Sequence, residues 1–577
     1  MSKTTNRKRP SHTELRKLLQ LGPKEIVPDL TLFANAEDES SGDATEVFVF
    51  KKVSGKLGIV RIPREQACFD PKAVARMIVA KNGILPRDRD KAEKVASAAS
   101  RVEPREYWLQ VKADGWRPDF SAFVHRGRVI GRNRIGRLRL KASSSNSQRS
   151  YILSRRGDLQ TWRRMLRLAS FSSRMRLGLC AAFGAPLLKV IDLQSFMLVI
   201  AGPSKAGKST VLLALASVIG IGQEGGLPNF NATGASLQEV AAEFNDSVLP
   251  VNEIGLLKGT KRDAYQSLRP LIYRYAEGRD TGRHSKSAFA SASGIASWRG
   301  IMVASSENAV EALAELAGEK RDEGEYARAF DVPAVRPGNS TVFDRFPHHV
   351  APEHHEAWAR QQLAEIRRLC GENHGLALQR YVAFLIQHRA TLKADIERAM
   401  GEFLSSLKGA ERSGALQHAA RNFALLYAGA VMAKRAGLLP WDLSATRKAL
   451  KTCFLDGLRE VARVEGTEER ARKAITSHLH VLGPAASVTD LNAVDGWFKN
   501  TKRGRIFAVR TTCFRDWLSS PEEERAALRW LHRMQLLQPK DGAKAEWPNV
   551  EWAVTWPKIG KTGTRCYQFL DPRQGDA

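Results

Sequence analysis

Eight consecutive residues have the types and spacing to hold a triphosphate. Gly202, Pro203, Ser204, Lys205, Ala206, Gly207, Lys208 and Ser209 fit G-x-x-x-x-G-K-[ST] in full. In such a loop the backbone N–H groups and the start of the following helix, here Thr210, surround the phosphates. Lys208 is then the cation for the β and γ phosphates, and the Ser209 hydroxyl is a ligand for Mg²⁺. ATP and Mg²⁺ are the cofactors this chemistry requires. Hydrolysis also needs an acidic strand end. The apolar run Ser247 to Val251 leads into Asn252 and Glu253. Two acids usually stand there, one holding the metal through water and one activating the attacking water. Here Asn252 takes the first place without a charge, and Glu253 is the candidate base. A further apolar run, Gly300 to Ala304, ends in Ser305, Ser306, Glu307 and Asn308. One of these four would sense the γ-phosphate, and Ser306 and Asn308 are carried as candidates. Arg328 stands directly before the run Ala329 to Val332, where ring-forming ATPases place an arginine aimed at a neighbouring subunit.

These side chains need a frame. Phe196 to Ile200 is an unbroken apolar run of strand length, the Gly-rich loop follows at once, and Thr210 to Ile219 reads as a helix. Strand, loop and helix begin an α/β nucleotide-binding core. The runs 247–251, 300–304 and 329–332 alternate with helical stretches, including 309–326, as a parallel sheet requires. The expected fold is therefore α/β, with a P-loop ATPase core over residues 159–351. Before it, residues 46–158 read as a mixed α/β region with strands near 47–51, 58–62, 107–111 and 120–130 and helices near 73–81 and 91–101. Residues 1–45, polar and ending in an acidic, Ser-rich stretch, read as a tail, although 30–33 could dock. Residues 352–465 read as helical throughout. Residues 468–577 alternate helices near 515–517 and 522–537 with short β-like runs near 504–509 and 566–569.

The chain of 577 residues carries a net charge of +29, which favours a polyanionic partner, DNA above all. Hydrophobic residues make up 43% and charged residues 26%, a globular balance. The six cysteines form no Cys-x-x-Cys pair and no zinc spacing with His, which suits a reducing compartment. No apolar run is long enough to span a bilayer, and the start of the chain is polar and basic, not a secretory leader. The expectation is a cytoplasmic protein with no membrane partner.

Beyond the loop, several short segments in fixed order carry a resemblance. They are Ala182 to Leu188, Asn252 to Gly255, Tyr275 to Gly278, Trp298 with Ser305 to Glu307, and Arg328 to Pro333. Gly115-Trp116, Val129 to Gly131, Gly157 to Leu159 with Trp162, and Phe423 to Gly429 extend it over roughly residues 110–440. The sequence resembles a phage, plasmid and genomic-island family catalogued as a domain of unknown function and described as superfamily II helicases and inactivated derivatives. The resemblance implies an AAA+ core akin to the mini-chromosome-maintenance helicases. It also looks like the replicative helicases of staphylococcal cassette elements, which form hexameric rings. It implies a channel hairpin over residues 273–298, where Arg279, Arg283, His284 and Lys286 would touch the DNA backbone. A C-terminal winged helix over 468–577 would match related helicases. One departure stands out: the family usually carries Asp-Glu where this chain has Asn252 and Glu253.

Two readings lead, beside a third of a nucleic-acid-stimulated ATPase in element defence or maintenance, without unwinding. One is a ring-forming, ATP-driven DNA helicase or translocase of a mobile element. The other is a nucleotide-binding, DNA-binding replication or regulatory protein with weak hydrolysis or none.

Overall fold

A strand buried on both faces must be apolar at every position, and Phe196–Ala201 (β10) is such a strand, with all six residues buried. In the computed structural model it lies inside a four-stranded parallel sheet with Ser247–Val251 (β11), Gly300–Ser306 (β12) and Ala329–Pro333 (β13). The order is β11-β12-β10-β13. The chain is a mixed α/β protein, as its alternating apolar runs imply. The structure describes residues 30–39, 41–111, 113–125, 128–142, 153–229, 234–254, 261–279, 297–317, 319, 321–407, 414–485, 490, 493–538, 553–555 and 564–574. It divides into two units, residues 1–150 with 281–297, and residues 151–280 with 298–577.

The first unit holds a six-stranded sheet. Its strands are Thr31–Asp38 (β1), Ala44–Lys51 (β2), Leu57–Pro63 (β3), Glu106–Val111 (β4), Arg134–Ile135 (β8) and Leu138–Ala142 (β9), in the order β3-β2-β1-β4-β9-β8. Helices Arg64–Phe69 (α1), Pro71–Ala80 (α2) and Arg89–Ser100 (α3) cover one face through Phe48, Phe50, Val60, Ile62, Ile78 and Val95. Asp70 and Asp88 cap α2 and α3 by accepting from Ala73 and Lys91 N–H. A small second sheet joins Gly115–Trp116 (β5), Ala122–His125 (β6) and Arg128–Gly131 (β7). Two expectations change here. The tail expected over 1–45 ends earlier, because β1 is an inner strand whose Ala34 and Ala36 pack with Trp108. The single run expected over 120–130 is the hairpin of β6 and β7.

In the second unit, Leu159–Ala169 (α4) and Ser173–Gly184 (α5) precede the sheet. Asp158 and Ser172 cap them. Lys208–Ile219 (α6), Gly234–Glu243 (α7) and Lys261–Glu277 (α8) follow β10 and β11, and Val310–Ala317 (α9) and Glu323–Arg328 (α10) precede β13. The one helical segment expected over 309–326 is thus two. Arg321, between them, is buried against the Asp331 carboxylate at 2.8 Å, and Asp331 also accepts from Val310 N–H at the start of α9. Burial raises the Asp331 pKa, with Arg321 pulling it back.

Helices His355–Glu372 (α11), Ala377–Gln387 (α12), Leu392–Leu407 (α13), Gly414–Arg435 (α14) and Leu443–His478 (α15) make up the helical region. Gly429 of α14 lets that helix cross α5 closely, since a Cβ there would lie 2.6 Å from Gly184 N. The helical region does not end near 465: α15 runs on to His478 and enters the C-terminal part. There Gly483–Pro484 (β14), Gly496–Thr501 (β15), Gly504–Arg510 (β16), Ala553–Thr555 (β17) and Arg565–Leu570 (β18) form a five-stranded sheet. Its order is β14-β15-β16-β18-β17. Thr511–Asp516 (α16) and Pro521–Arg533 (α17) pack with the end of α15 through Ile475, Phe507, Phe514, Leu531 and Phe569.

Candidate functional site

The loop between β10 and α6 is shaped by backbone that few residues tolerate. Lys205 lies at φ +63° and Gly207 at φ +101°. A Cβ on Gly207 would also meet Leu363 Cδ2 of α11 at 2.8 Å, so the loop rests against the helical region. It is pinned at both ends. Gly202 N–H donates to Ser306 O at 3.1 Å, and Val342 N–H donates to Ala206 O at 2.9 Å. Pro203, Ser204 and Lys205 are exposed, whereas Ala206, Gly207 and Lys208 are buried.

Lys208 Nζ donates to Gly202 O at 2.7 Å and Pro203 O at 2.8 Å, so the ammonium is held inside the loop. Burial pulls its pKa below the ordinary lysine range, and the Glu253 and Glu307 carboxylates pull it back up. An ammonium held by two loop carbonyls at the start of a helix is suited to an incoming anion. The donor set fits a nucleotide phosphate.

Parallel pairing of β10, β11 and β12 brings three strand ends together. Val251 pairs with Ala304, which sets Asn252 beside Ser305. Ser305 Oγ donates to Asn252 Oδ1 at 2.9 Å, and Ser209 Oγ donates to the same oxygen at 3.3 Å. Glu253 N–H donates to Ser305 Oγ at 3.0 Å. Glu253 adopts φ +61°, a left-handed conformation that costs about 1–3 kcal/mol for a non-glycine residue. Ser209, Asn252, Glu253, Ser305 and Lys208 are thus one constellation, with two hydroxyls and an amide oxygen suited to a hard cation. Among the described residues, no group of three His, Cys, Asp or Glu is arranged to hold a metal by itself.

The γ-phosphate candidates separate. Ser306 is buried and its Oγ accepts from Asn308 N–H at 3.2 Å, which ties these two to each other. Glu307 reaches the loop by accepting from Ser204 Oγ at 2.7 Å. Thr210 is wholly buried, and its Oγ1 accepts from Arg367 Nε of α11 at 3.0 Å. Arg367 also pairs with Glu224 at 3.0 Å. Sequence reasoning missed three groups here. Ser305 and Glu307 were two of four equal candidates whose partners depend on register. Arg367 is one arginine among many, and no motif marks it.

Arg328 ends α10. Its Nη1 donates to Gly324 O at 2.8 Å and its guanidinium lies 4.8 Å from the centre of the Tyr273 ring, while Nε is buried with no hydrogen-bond partner. These contacts hold it outside the loop. Arg279 is exposed just beyond α8, whereas Arg283, His284 and Lys286 lie outside the described residues. No helix among the described residues is long and apolar enough to cross a membrane. The described cysteines are all free thiols.

Comparison with known proteins gives two positive findings. Residues 31–292 match the family described as a domain of unknown function (DUF927). That stretch starts at β1 and includes the loop, Asn252 and Glu253. A solved structure described as "SCCmec type IV Cch - active helicase" has a similar fold, with a TM-score of 0.56 and 13% sequence identity. The likeness covers 95% of this chain and 94% of that one. No curated protein matches.

Proposed function

We propose that the chain is an ATP-dependent DNA helicase or translocase of a mobile genetic element, built on an AAA+ core and working as a ring, most simply a hexamer. The observation that carries this reading is the meeting of Lys208, Ser209, Asn252 and Glu253 around a loop held in phosphate-binding shape. The likeness in fold to a protein described as an active helicase supports it, as does the +29 charge. Lys208 and the loop N–H groups hold the β and γ phosphates of ATP, and Ser209 with Asn252 holds Mg²⁺, which supplies charge neutralisation on the phosphates. Glu253 accepts the proton of the attacking water. The strained backbone at Glu253, fixed by Ser305, aims that carboxylate. Arg328 acts on a neighbouring subunit's nucleotide. Arg279, Arg283, His284 and Lys286 serve as the DNA-contacting hairpin, and the five-stranded C-terminal sheet with α16 and α17 as a winged helix. The cytoplasm is the proposed location.

The test is ATP turnover with and without single-stranded DNA in wild type and in Lys208→Ala, followed by strand displacement on a fork. Lys208→Ala removes phosphate and transition-state charge stabilisation and is expected to abolish turnover in a protein that remains folded. Wild-type turnover in that variant would sink the assignment. A second reading is favoured by Asn252 alone: a nucleotide-binding, DNA-binding protein with little or no hydrolysis, recognised by nucleotide binding without turnover.

A further inference from the structure

The six-stranded sheet of the first unit has two faces, and the three helices cover one of them. The registers fix what lies on the other. Leu57, Ile59 and Arg61 of β3 pair with Lys51, Val49 and Val47 of β2. Ala34 and Ala36 of β1 stand beside Glu106 and Trp108 of β4. Trp108 and Gln110 stand beside Arg139 and Lys141 of β9, and Arg139 beside Arg134 of β8. Lys141 Nζ lies 4.9 Å from the centre of the Trp108 ring, and the Arg105 guanidinium 5.9 Å from that of Phe33. Phe33 and Trp108 are themselves in edge contact at 5.7 Å. This face therefore carries Lys51, Arg61, Arg105, Arg134, Arg139 and Lys141. Its acids are Asp38 and Glu106, and both are already engaged: Asp38 accepts from Ser41 N–H at 3.2 Å, and Glu106 from Trp108 Nε1 at 2.5 Å and Arg139 at 2.8 Å.

Leu57 and Ile59 are 69% and 58% exposed beside these cations. Apolar side chains left in water on a strand face, with cations on either side, fit a ligand that has both flat apolar groups and regularly spaced anions. We propose that this sheet face binds a single strand of DNA, its phosphates on the arginines and lysines and its bases against the exposed Leu57 and Ile59. From Arg61 on β3 to Arg134 on β8 is five strand spacings, about 24 Å, the reach of a few nucleotides. A duplex would present phosphates but bury its bases, leaving Leu57 and Ile59 without a partner. A second copy of the same face would set like charges against each other. The proposal rests on the reading of the chain as a DNA-acting protein, and adds to it a site outside the ATPase sheet.

The test is fluorescence anisotropy of a labelled oligothymidylate with the full-length protein, titrated over a range of salt. The variant carries Arg61→Glu, Arg134→Glu and Lys141→Glu. A control reverses three cations on the helix-covered side, Arg76→Glu, Lys81→Glu and Lys94→Glu. The face variant is expected to bind about ten-fold or more weaker. Its log-affinity against log-salt slope should be shallower by about 2, three lost phosphate contacts at about 0.7 each. The control should stay close to wild type. Arg61→Gln with Lys141→Gln gives the same comparison should the triple reversal melt early. Wild-type affinity in the face variants, or equal loss in the control, overturns the proposal. Loss for duplex only overturns the single-strand assignment. In either case, DNA-stimulated ATP turnover in the wild type would leave the proposed function standing. Wild-type protein that binds no DNA at low salt overturns both.

Discussion

Ser305→Ala tests whether the strand-end constellation works as a unit. The hydroxyl is buried, donates to Asn252 Oδ1 and accepts from Glu253 N–H. Each of these bonds is worth about 0.5–1.5 kcal/mol net, so their joint loss amounts to about 1–3 kcal/mol. Alanine also leaves the Glu253 N–H without this acceptor and frees a residue held at φ +61°. Relaxation of that backbone would turn the carboxylate away from its aim. At 1.36 kcal/mol per ten-fold, turnover should fall about 5- to 160-fold. The loop bonds of Lys208 do not pass through Ser305, so nucleotide affinity should change little. The assay pairs steady-state ATP hydrolysis with binding of a fluorescent nucleotide analogue, and a thermal melt establishes folding. Turnover within about two-fold of wild type, in folded protein, would refute the idea that Ser305 aims Glu253.

Asn252→Asp should raise turnover and lower the Mg²⁺ concentration needed, whereas Glu253→Gln should lose about 10²–10⁴-fold. Equal rates in both variants and wild type would mean the acidic strand end lies elsewhere. Arg328→Ala should bind nucleotide but not hydrolyse it, with partial recovery when mixed with Lys208→Ala. No recovery in verified mixed rings would argue against action across subunits. Arg174 is fully buried and donates to Asp456 at 2.8 Å and to Pro333 O at 2.8 Å. Arg174→Met takes one cation from the buried Asp456 carboxylate, which keeps Arg336 and Arg459, and should cost roughly 1.5–3 kcal/mol in urea unfolding; an unchanged midpoint would count against that.

The sheet of the second unit was readable because strands buried on both faces leave no polar gap. Phe196 to Ala201 and Ser247 to Val251 are apolar or small throughout. β1 was not readable, because beyond Leu32 its core contribution is Ala34 and Ala36 in a stretch that ends in acids, and alanine gives little hydrophobic signal. Its place comes from Trp108, which is far away in sequence. The run past residue 465 was hidden in the same way: Gly466 to Arg470 opens on a glycine and is mostly charged, and ion pairs of Glu468 and Arg470 with Arg533 and Glu523 tie it to α17. The loop itself, between β10 and α6, was legible as a motif. The meeting of Ser209, Asn252 and Ser305 depended on register, and the Arg367 contact on how α11 lies against α6.

The length of α15 has a mechanical consequence. At Gly457 the helix passes so close to β13 that a Cβ would lie 2.4 Å from Asp331 O, and at Arg470 it is bonded to Glu523 of α17 at 2.9 Å. These two anchor points are about 20 Å apart along one unbroken axis. A straight helix carries tilt without absorbing it, so a rocking of about ten degrees at the sheet displaces the C-terminal anchor by roughly 3–4 Å. The arginine helix α10 leads directly into that same β13. A tilt felt at β13 is therefore delivered, by leverage along one continuous helix, to the C-terminal sheet.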